Sequence, residues 1–158
     1  MTKNPDVEST LAALLAEEER LSFVHFDHDT AWNLGSAMRA QALAEELPIV
    51  ISIRRNGQRL FHTALPGSAA DNDTWIDRKS AVVDRYGHSS YYVGCLHRSK
   101  GGDFDVDARL DVNLFAAHGG AFPMTIRGTG PVGVIAVSGL PQVEDHQFVV
   151  NALERFLQ

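Results

Sequence analysis

The alternation of apolar and polar residues near the amino terminus predicts a helix followed by a short strand. Asn4 is suited to cap a helix and Pro5 to occupy its first position. Apolar residues then recur at helical spacing, at Val7, Leu11, Leu14 and Leu15. From Leu21 to Asp27 the pattern changes to a period of two, which is typical of a strand. We therefore expect an amphipathic helix that leads into a sheet.

A second helix and a β-hairpin are predicted next. Asp29 or Thr30 can cap a helix that ends before Pro48, because a residue that precedes proline disfavours the helical conformation. Residues 48–54 alternate isoleucine with other side chains, as a strand with one buried face does. Asn56-Gly57 then offers the positive φ angles of a two-residue hairpin turn. This turn is the strongest structural signal in the chain.

The hairpin turn also predicts a strand register and a position for His62. Pairing that runs outward from Arg55 and Gln58 puts Ile53 opposite Leu60, Ile51 opposite His62, and Ile49 opposite Ala64. On that register His62 shares the isoleucine face of the hairpin. A buried imidazole must find a hydrogen-bond partner or face a cavity, so His62 is either a satisfied core histidine or a candidate ligand.

Two helices, a second hairpin and a final helix complete the prediction. Asp73 is expected to cap a helix that ends near Gly87, and Ser89 or Ser90 to cap another that runs to about Ser99. Residues 104–117 show no clear pattern and stay unassigned. Strands over 121–127 and 131–138 flank Gly128-Thr129-Gly130. The final helix has Pro141 in its first turn, and its expected core-facing residues are Val143, Val150, Leu153 and Leu157.

This order of elements predicts a protein of the α/β class with one domain over residues 1–158. Helices that cover a mostly antiparallel sheet of about five strands make an α+β sandwich, and a profilin-like or similar sandwich fits that order. The length suits a single hydrophobic core, and 44% hydrophobic with 22% charged residues is ordinary for a globular protein.

The net charge and the cysteine content limit the binding partners and the cellular compartment that the sequence favours. A net charge of −6 argues against nucleic acid, whose binding depends on Lys and Arg that neutralise phosphates. Cys95 is the single cysteine, so no internal disulfide forms, and a lone thiol fits the cytoplasm. The acidic amino terminus does not resemble a secretory signal, and no stretch is long and apolar enough to span a membrane. We interpret Cys95 as a core residue.

A cation on a semi-apolar helix face is the first candidate for a binding site. Trp75 lies about one helical turn before Arg78 and Lys79. One interpretation is an arginine stacked on the indole, or a lysine whose stem follows apolar surface to water. The alternative is a clamp for carboxylates, since arginine offers two parallel donors.

The second candidate is His118, which precedes Gly119 and Gly120. Paired glycines let the backbone approach a ligand closely, although they also simply permit a tight turn.

The acids Glu144 and Asp145, with His146 beside them, fall in the first turn of the final helix, where the helix dipole explains acidic residues without any catalytic role. No nucleophile and base pair emerges from the sequence.

Several separated motifs together resemble one known family. They are Asn72-Asp73-x-Trp75-x-x-Arg78-Lys79, Ser89-Ser90, His118-Gly119-Gly120-x-Phe122-Pro123, the glycine-rich segment 133–141, and Asp145-His146. The chain looks like a member of the bacterial and fungal haem-degrading-domain family, which is related to GlcG, to the haem-binding protein HbpS and to the C-terminal domain of PduO. The resemblance spans nearly the whole chain.

The resemblance implies a profilin-like fold, a homo-oligomer built from dimers, and binding with slow oxidative breakdown of haem. Haem needs an apolar slot, an iron ligand such as histidine, and cations for its propionates. Arg78 and Lys79 are then expected to hold the propionates beside Trp75, and either His118 or His62 to approach the iron.

Two other function classes stay open at this stage. The same motifs suit a non-enzymatic oligomeric or adaptor module in which Trp75 and the His118-Gly119-Gly120 region pack against another subunit, because Trp and Arg are favoured interface residues. An enzyme that acts on a small acidic metabolite, with Arg78 and Lys79 as an anion clamp, is the third possibility.

Overall fold

The computed structural model describes residues 4–158 as six helices and four strands. In chain order these are α1 (Pro5–Arg20), α2 (His28–Ala44), β1 (Val50–Arg55), β2 (Gln58–Ala64), α3 (Ala70–Tyr86), α4 (Ser90–Ser99), α5 (Phe104–Asp107), β3 (Ala121–Ile126), β4 (Gly130–Ser138) and α6 (Gln142–Phe156). Only α5 falls in the stretch that the sequence left unassigned. None of these helices combines the length and hydropathy needed to cross a membrane.

The sheet confirms the expected α/β class and antiparallel architecture. Its strands lie in the order β2-β1-β4-β3, and each neighbouring pair is antiparallel. The prediction of a short strand over Leu21–Asp27 was wrong, so the sheet has four strands and not five. Phe23 makes one isolated bridge, to Ile126. Leu21 is the C-cap of α1 and Asp27 is the N-cap of α2, so the segment between them is a short connection with a single bridge to the sheet.

The first hairpin has the expected turn but a different register. Arg55 pairs with Gln58 as predicted, yet a bulge next to Ile53 places Ile53 opposite Phe61 and Ser52 opposite His62. Because side chains alternate along a strand, this one-residue slip moves His62 off the isoleucine face and brings Phe61 into the core. The prediction that His62 shares the isoleucine face was therefore wrong.

Helices cover both faces of the sheet, and each face has its own core. The larger core is shared by α2, α6 and one sheet face, and it includes Leu34, Ile51 and Leu153. On the other face α3 packs Ile76 and Val83 against the sheet. In α6, Val150 and Leu153 are buried as predicted, whereas Val143 is 53% exposed. Leu157, which directly follows α6, is also exposed. The inward stripe of α6 instead begins at Asp145 and His146.

The caps at the helix starts match the predicted ones only in part. Ser89 caps α4, as expected, by accepting from the Tyr92 amide. In α3 the expected cap at Asp73 was wrong, because the N-cap residue is Ala69, four residues earlier, and the Asn72 side chain accepts from the Ala69 amide. In α2 the cap is Asp27 and not Asp29 or Thr30.

We expect Asp27→Ala to lower the free energy of unfolding, because the Asp27 carboxylate accepts from the Thr30 amide at 2.8 Å and caps α2. Urea unfolding followed by circular dichroism measures this loss. The matched control is Asp29→Ala, which removes an exposed acid from the same turn without removing the cap and should cost less. An equal or larger loss in the control would contradict the assignment of the cap.

Candidate functional site

The Lys79 side chain is buried and makes three polar contacts at the end of the sheet. It is only 2% exposed, although lysine is almost never fully buried without a partner. Its Nζ donates to the carbonyls of Gly119 at 3.0 Å and Val137 at 2.6 Å, and lies 3.2 Å from Oδ2 of Asp145. An ammonium has three N–H donors, so each has an acceptor.

Asp145 is the carboxylate that accompanies this buried ammonium. It is 3% exposed, and its Oδ1 accepts from the Leu140 amide at 3.0 Å. Burial raises the pKa of Asp145 and lowers the pKa of Lys79, and in each case the charge of the partner opposes the shift. The pair joins α3 to the first turn of α6, so Asp145 does more than complement the helix dipole.

The two glycines after His118 are needed for close packing around the lysine. Gly120 has a φ of 132°, and a Cβ at this position would collide with the Lys79 ammonium and the Val137 carbonyl. The Gly119 amide donates to Oε1 of Gln142 at 3.1 Å. The glycines therefore allow a close approach, as the sequence indicated, and the group they approach in the structure is the Lys79 side chain.

Trp75, Arg78 and His118 form an aromatic and cationic face beside this buried pair. The rings of Trp75 and His118 have centroids 5.1 Å apart, and the Arg78 guanidinium lies 4.4 Å from the centroid of the indole ring. Arg78 also donates through Nε and Nη2 to the Val112 carbonyl, at 3.0 and 2.6 Å. The arginine stacked on the indole is therefore present in the structure, and the carboxylate clamp stays a prediction.

Burial and the neighbouring charges favour the neutral form of the His118 imidazole. Partial burial is the main cause of its lowered pKa, and the cations Lys79, Arg78 and Arg98 lower the pKa further, whereas Asp105 raises it. A neutral imidazole has a free nitrogen lone pair, which is the form that ligates metals. Arg98 had not been singled out from the sequence.

A cavity of about 230 Å³ opens between the aromatic face and the buried ion pair. It is lined by Asn72, Trp75, Lys79, His118, Gly119, Ser138, Gly139, Leu140, Gln142 and Asp145. Four residues predicted from the sequence, Trp75, Lys79, His118 and Gly119, thus meet at one place. Arg78 joins them through its stacking, and Gly120 packs behind them.

His62 is not among the residues that line the cavity. Its Nε2 lies 2.9 Å from Oδ1 of Asp73, at the start of α3. Cys95, which was interpreted as a core residue, is only partly buried, and its Sγ accepts from Arg98 at 3.2 Å. The structure thus brings His118 to the cavity and leaves His62 outside it.

Sequence reasoning missed the acceptor of Lys79 and the polar lining of the cavity. Lys79 is three residues from both Ile76 and Val82, so it falls on the buried stripe of α3. This position indicated that the Lys79 ammonium would be buried and would need a buried carboxylate as its partner. Ser138 and Gln142 gave no comparable signal, since their roles depend on how β4 and α6 meet α3.

The chain matches the model of one protein family and several known proteins along nearly its whole length. The family is described as "Haem degrading protein HbpS-like", and the match covers residues 26–154. A protein of Streptomyces avermitilis named "UPF0303 protein" is 55% identical over 148 residues, which are 94% of this chain and 91% of that protein. The match to the family model alone covers well over half of the chain.

Two solved structures show the same fold. The crystal structure of Ybr137w protein is 37% identical, with a TM-score of 0.83 over 92% of this chain and 86% of that one. The structure titled "Crystal Structure of PduOC:Heme Complex" has a TM-score of 0.67 and 16% identity, over 84% of this chain and 94% of that one. At that low identity the second likeness supports the fold alone.

We expect Lys79→Met to lower the free energy of unfolding by about 3–5 kcal/mol, because it leaves Asp145 buried without its cation. Adding Asp145→Asn should restore part of the loss, since the amide oxygen still accepts from Leu140 and no unpaired charge is left. Chemical denaturation of the single and double variants measures both changes. A double variant with the summed loss of the two single variants would contradict the coupling.

Proposed function

The chain belongs to the family of HbpS-like haem-degrading proteins, and we propose that it binds a haem-type tetrapyrrole at the face formed by Trp75, Arg78 and His118. The observation that carries this proposal is the arrangement of the face, in which the His118 imidazole lies 5.1 Å from the indole of Trp75 and the Arg78 guanidinium lies 4.4 Å from the same indole. The solved haem complex of a structural neighbour supports the choice of ligand. We also propose weak haem-degrading activity, for which bound haem iron would supply the oxidative chemistry.

The residues of this face suit the three parts of a haem. The indole of Trp75 would offer an aromatic surface for the macrocycle, and the His118 imidazole would offer a nitrogen ligand for the iron. Arg78 would bind a propionate through the guanidinium N–H groups that the Val112 carbonyl leaves unused, and Arg98 would add positive charge near His118. Since Lys79 already donates to three protein acceptors, we assign it to positioning the Gly119 loop and to the local positive charge.

The volume of the cavity favours a macrocycle that lies over the cavity mouth. At about 230 Å³ the cavity is smaller than the roughly 300–1,000 Å³ of pockets that enclose drug-sized ligands. A tetrapyrrole bound to one subunit would therefore keep part of its surface uncovered. We propose that the protein works in the cytoplasm as a homo-oligomer, in which a second subunit covers that surface.

The second candidate function is that of an oligomeric interaction module. It is favoured by three exposed apolar side chains on the segment after α4, namely Val106 at 73%, Val112 at 44% and Leu114 at 60% exposure. Val112 also provides the carbonyl that Arg78 binds, so this apolar segment is tied to the Trp75 face. An adaptor role would use the same surface without a tetrapyrrole.

We expect hemin to bind with a saturable Soret band, and His118→Ala to weaken this binding at least about tenfold by removing the imidazole proposed to hold the iron. The matched control is His62→Ala, which removes an imidazole outside the cavity. Absorbance titration of both variants and of the unmodified protein measures the difference. Unchanged hemin affinity in His118→Ala, or equal losses in the two variants, would contradict the assigned role.

The pH dependence of hemin affinity gives an independent check. Because the pKa of His118 is lowered from its ordinary value of 6.5, the imidazole is neutral at pH 7 and stays neutral at pH 8. Hemin affinity should then be level between pH 7 and 8 and should fall as the solution is acidified below the lowered pKa. The fall should be absent in His118→Ala.

For the interaction module, we expect Leu114→Glu to reduce the assembly size, because it places a charge on an apolar contact surface. Light scattering coupled to gel filtration measures the mass. Val24→Glu is the matched control, since Val24 is 72% exposed and lies outside this segment. An unchanged mass in Leu114→Glu, or equal changes in both variants, would rule out this surface.

A further inference from the structure

Two amide side chains in the cavity have orientations fixed by the backbone. Oδ1 of Asn72 accepts from the Ala69 amide at 2.9 Å, and Oε1 of Gln142 accepts from the Gly119 amide at 3.1 Å. In each case the oxygen is occupied, so the NH₂ group is left over as a donor. Since both residues line the cavity, they enrich its wall in hydrogen-bond donors.

Ser138 adds a hydroxyl to the cavity wall. The residue is only 4% exposed, and it lines the cavity. It extends from the same face of β4 as Val134 and Ala136, which is the face that α3 covers. A hydroxyl on a cavity wall can donate a hydrogen bond to an acceptor atom of a ligand.

The charged groups around the cavity permit one more anion to bind there. The carboxylate of Asp145 is matched by the Lys79 ammonium, so the floor of the cavity has no net charge. Near His118 at the mouth, the positive charges of Arg78 and Arg98 lower the pKa of the imidazole, and the negative charge of Asp105 raises it. Gln142 is the first residue of α6, and the positive end of a helix dipole favours a negative group there.

The cavity has the size of a compact molecule. A cavity of about 150 Å³ holds benzene with its six carbon atoms, so about 230 Å³ corresponds to roughly nine non-hydrogen atoms. Trp75, His118 and Leu140 provide aromatic and apolar wall, and the donors lie at Asn72, Ser138 and Gln142. A small acid with a short or aromatic body matches both the volume and the lining.

We propose that this cavity binds the carboxylate of a compact organic acid, with the amides of Asn72 and Gln142 and the hydroxyl of Ser138 as donors. The carboxylate belongs either to a free small acid or to a side arm of a larger ligand whose body lies at the cavity mouth. The three donors differ from the residues to which the haem proposal assigns the macrocycle and the iron, so the site can be tested with a small acid in the absence of hemin.

Benzoate, which has nine non-hydrogen atoms, is the probe for this site. In the full chain carrying Trp32→Phe, Trp75 is the single tryptophan and lies in the cavity wall, so its fluorescence reports binding. We expect a saturable change with benzoate and a weaker one with the neutral analogue benzamide. Gln142→Glu and Asn72→Asp keep the acceptor oxygens but replace the donors, and each should weaken benzoate at least about tenfold.

Gln147→Glu is the matched control, because it adds the same charge to the exposed side of α6. Competition with hemin then identifies the source of the carboxylate. If saturating hemin displaces benzoate, and the two donor variants also weaken hemin, the carboxylate is a side arm of the larger ligand. If benzoate binds equally well with and without hemin, it is a free acid.

The proposal is overturned if benzoate does not bind and the donor variants leave hemin affinity unchanged, or if Gln147→Glu weakens benzoate as much as Gln142→Glu does. Failure of the haem proposal gives a different result. In that case hemin does not saturate in any variant, while benzoate binding and its loss in the donor variants remain.

Discussion

The buried contact between Lys79 and Asp145 is the interaction on which the rest of the site depends. It connects the middle of α3, the end of β4, the loop after His118 and the first turn of α6. A lysine that is 98% buried is tolerated because every donor of its ammonium has an acceptor within hydrogen-bond distance. Removing either charge leaves the other without compensation, so the pair must be kept or replaced together.

The same contact explains the glycines and places the histidine. Gly120 adopts a backbone conformation that disfavours other residues, and a side chain there would collide with the lysine. With the backbone held so closely, His118 is presented at the surface next to Trp75. The resulting architecture has a closed, charge-balanced floor and an aromatic mouth. These two regions suit different chemistry, since the mouth can support a flat macrocycle and the interior has room for a small polar group.

This division bears on how the family relationship is interpreted. The family is described as haem-degrading, which is the basis for the proposed tetrapyrrole ligand, whereas the volume of the cavity suits a smaller molecule. The proposed tetrapyrrole and the small cavity are compatible if the macrocycle lies outside the cavity and one of its carboxylates reaches into it. They also agree with a protein whose cavity binds a separate acid. In both cases Asn72, Ser138 and Gln142 would select the ligand from inside the cavity, and Arg78 and Arg98 would attract it from outside.

The sequence by itself determined the local elements of this protein. The Asn56-Gly57 turn, the Ser89 cap and the apolar stripes follow from neighbouring residues, so they were predictable, and motifs at Trp75, Lys79 and His118 marked one wall of the cavity. Only the tertiary structure decided the rest. The bulge next to Ile53 set the face of His62, and Asp145 meets Lys79 across 66 residues of chain. The physical reason is that register and buried charge pairing are set by packing between distant elements, which no local pattern contains.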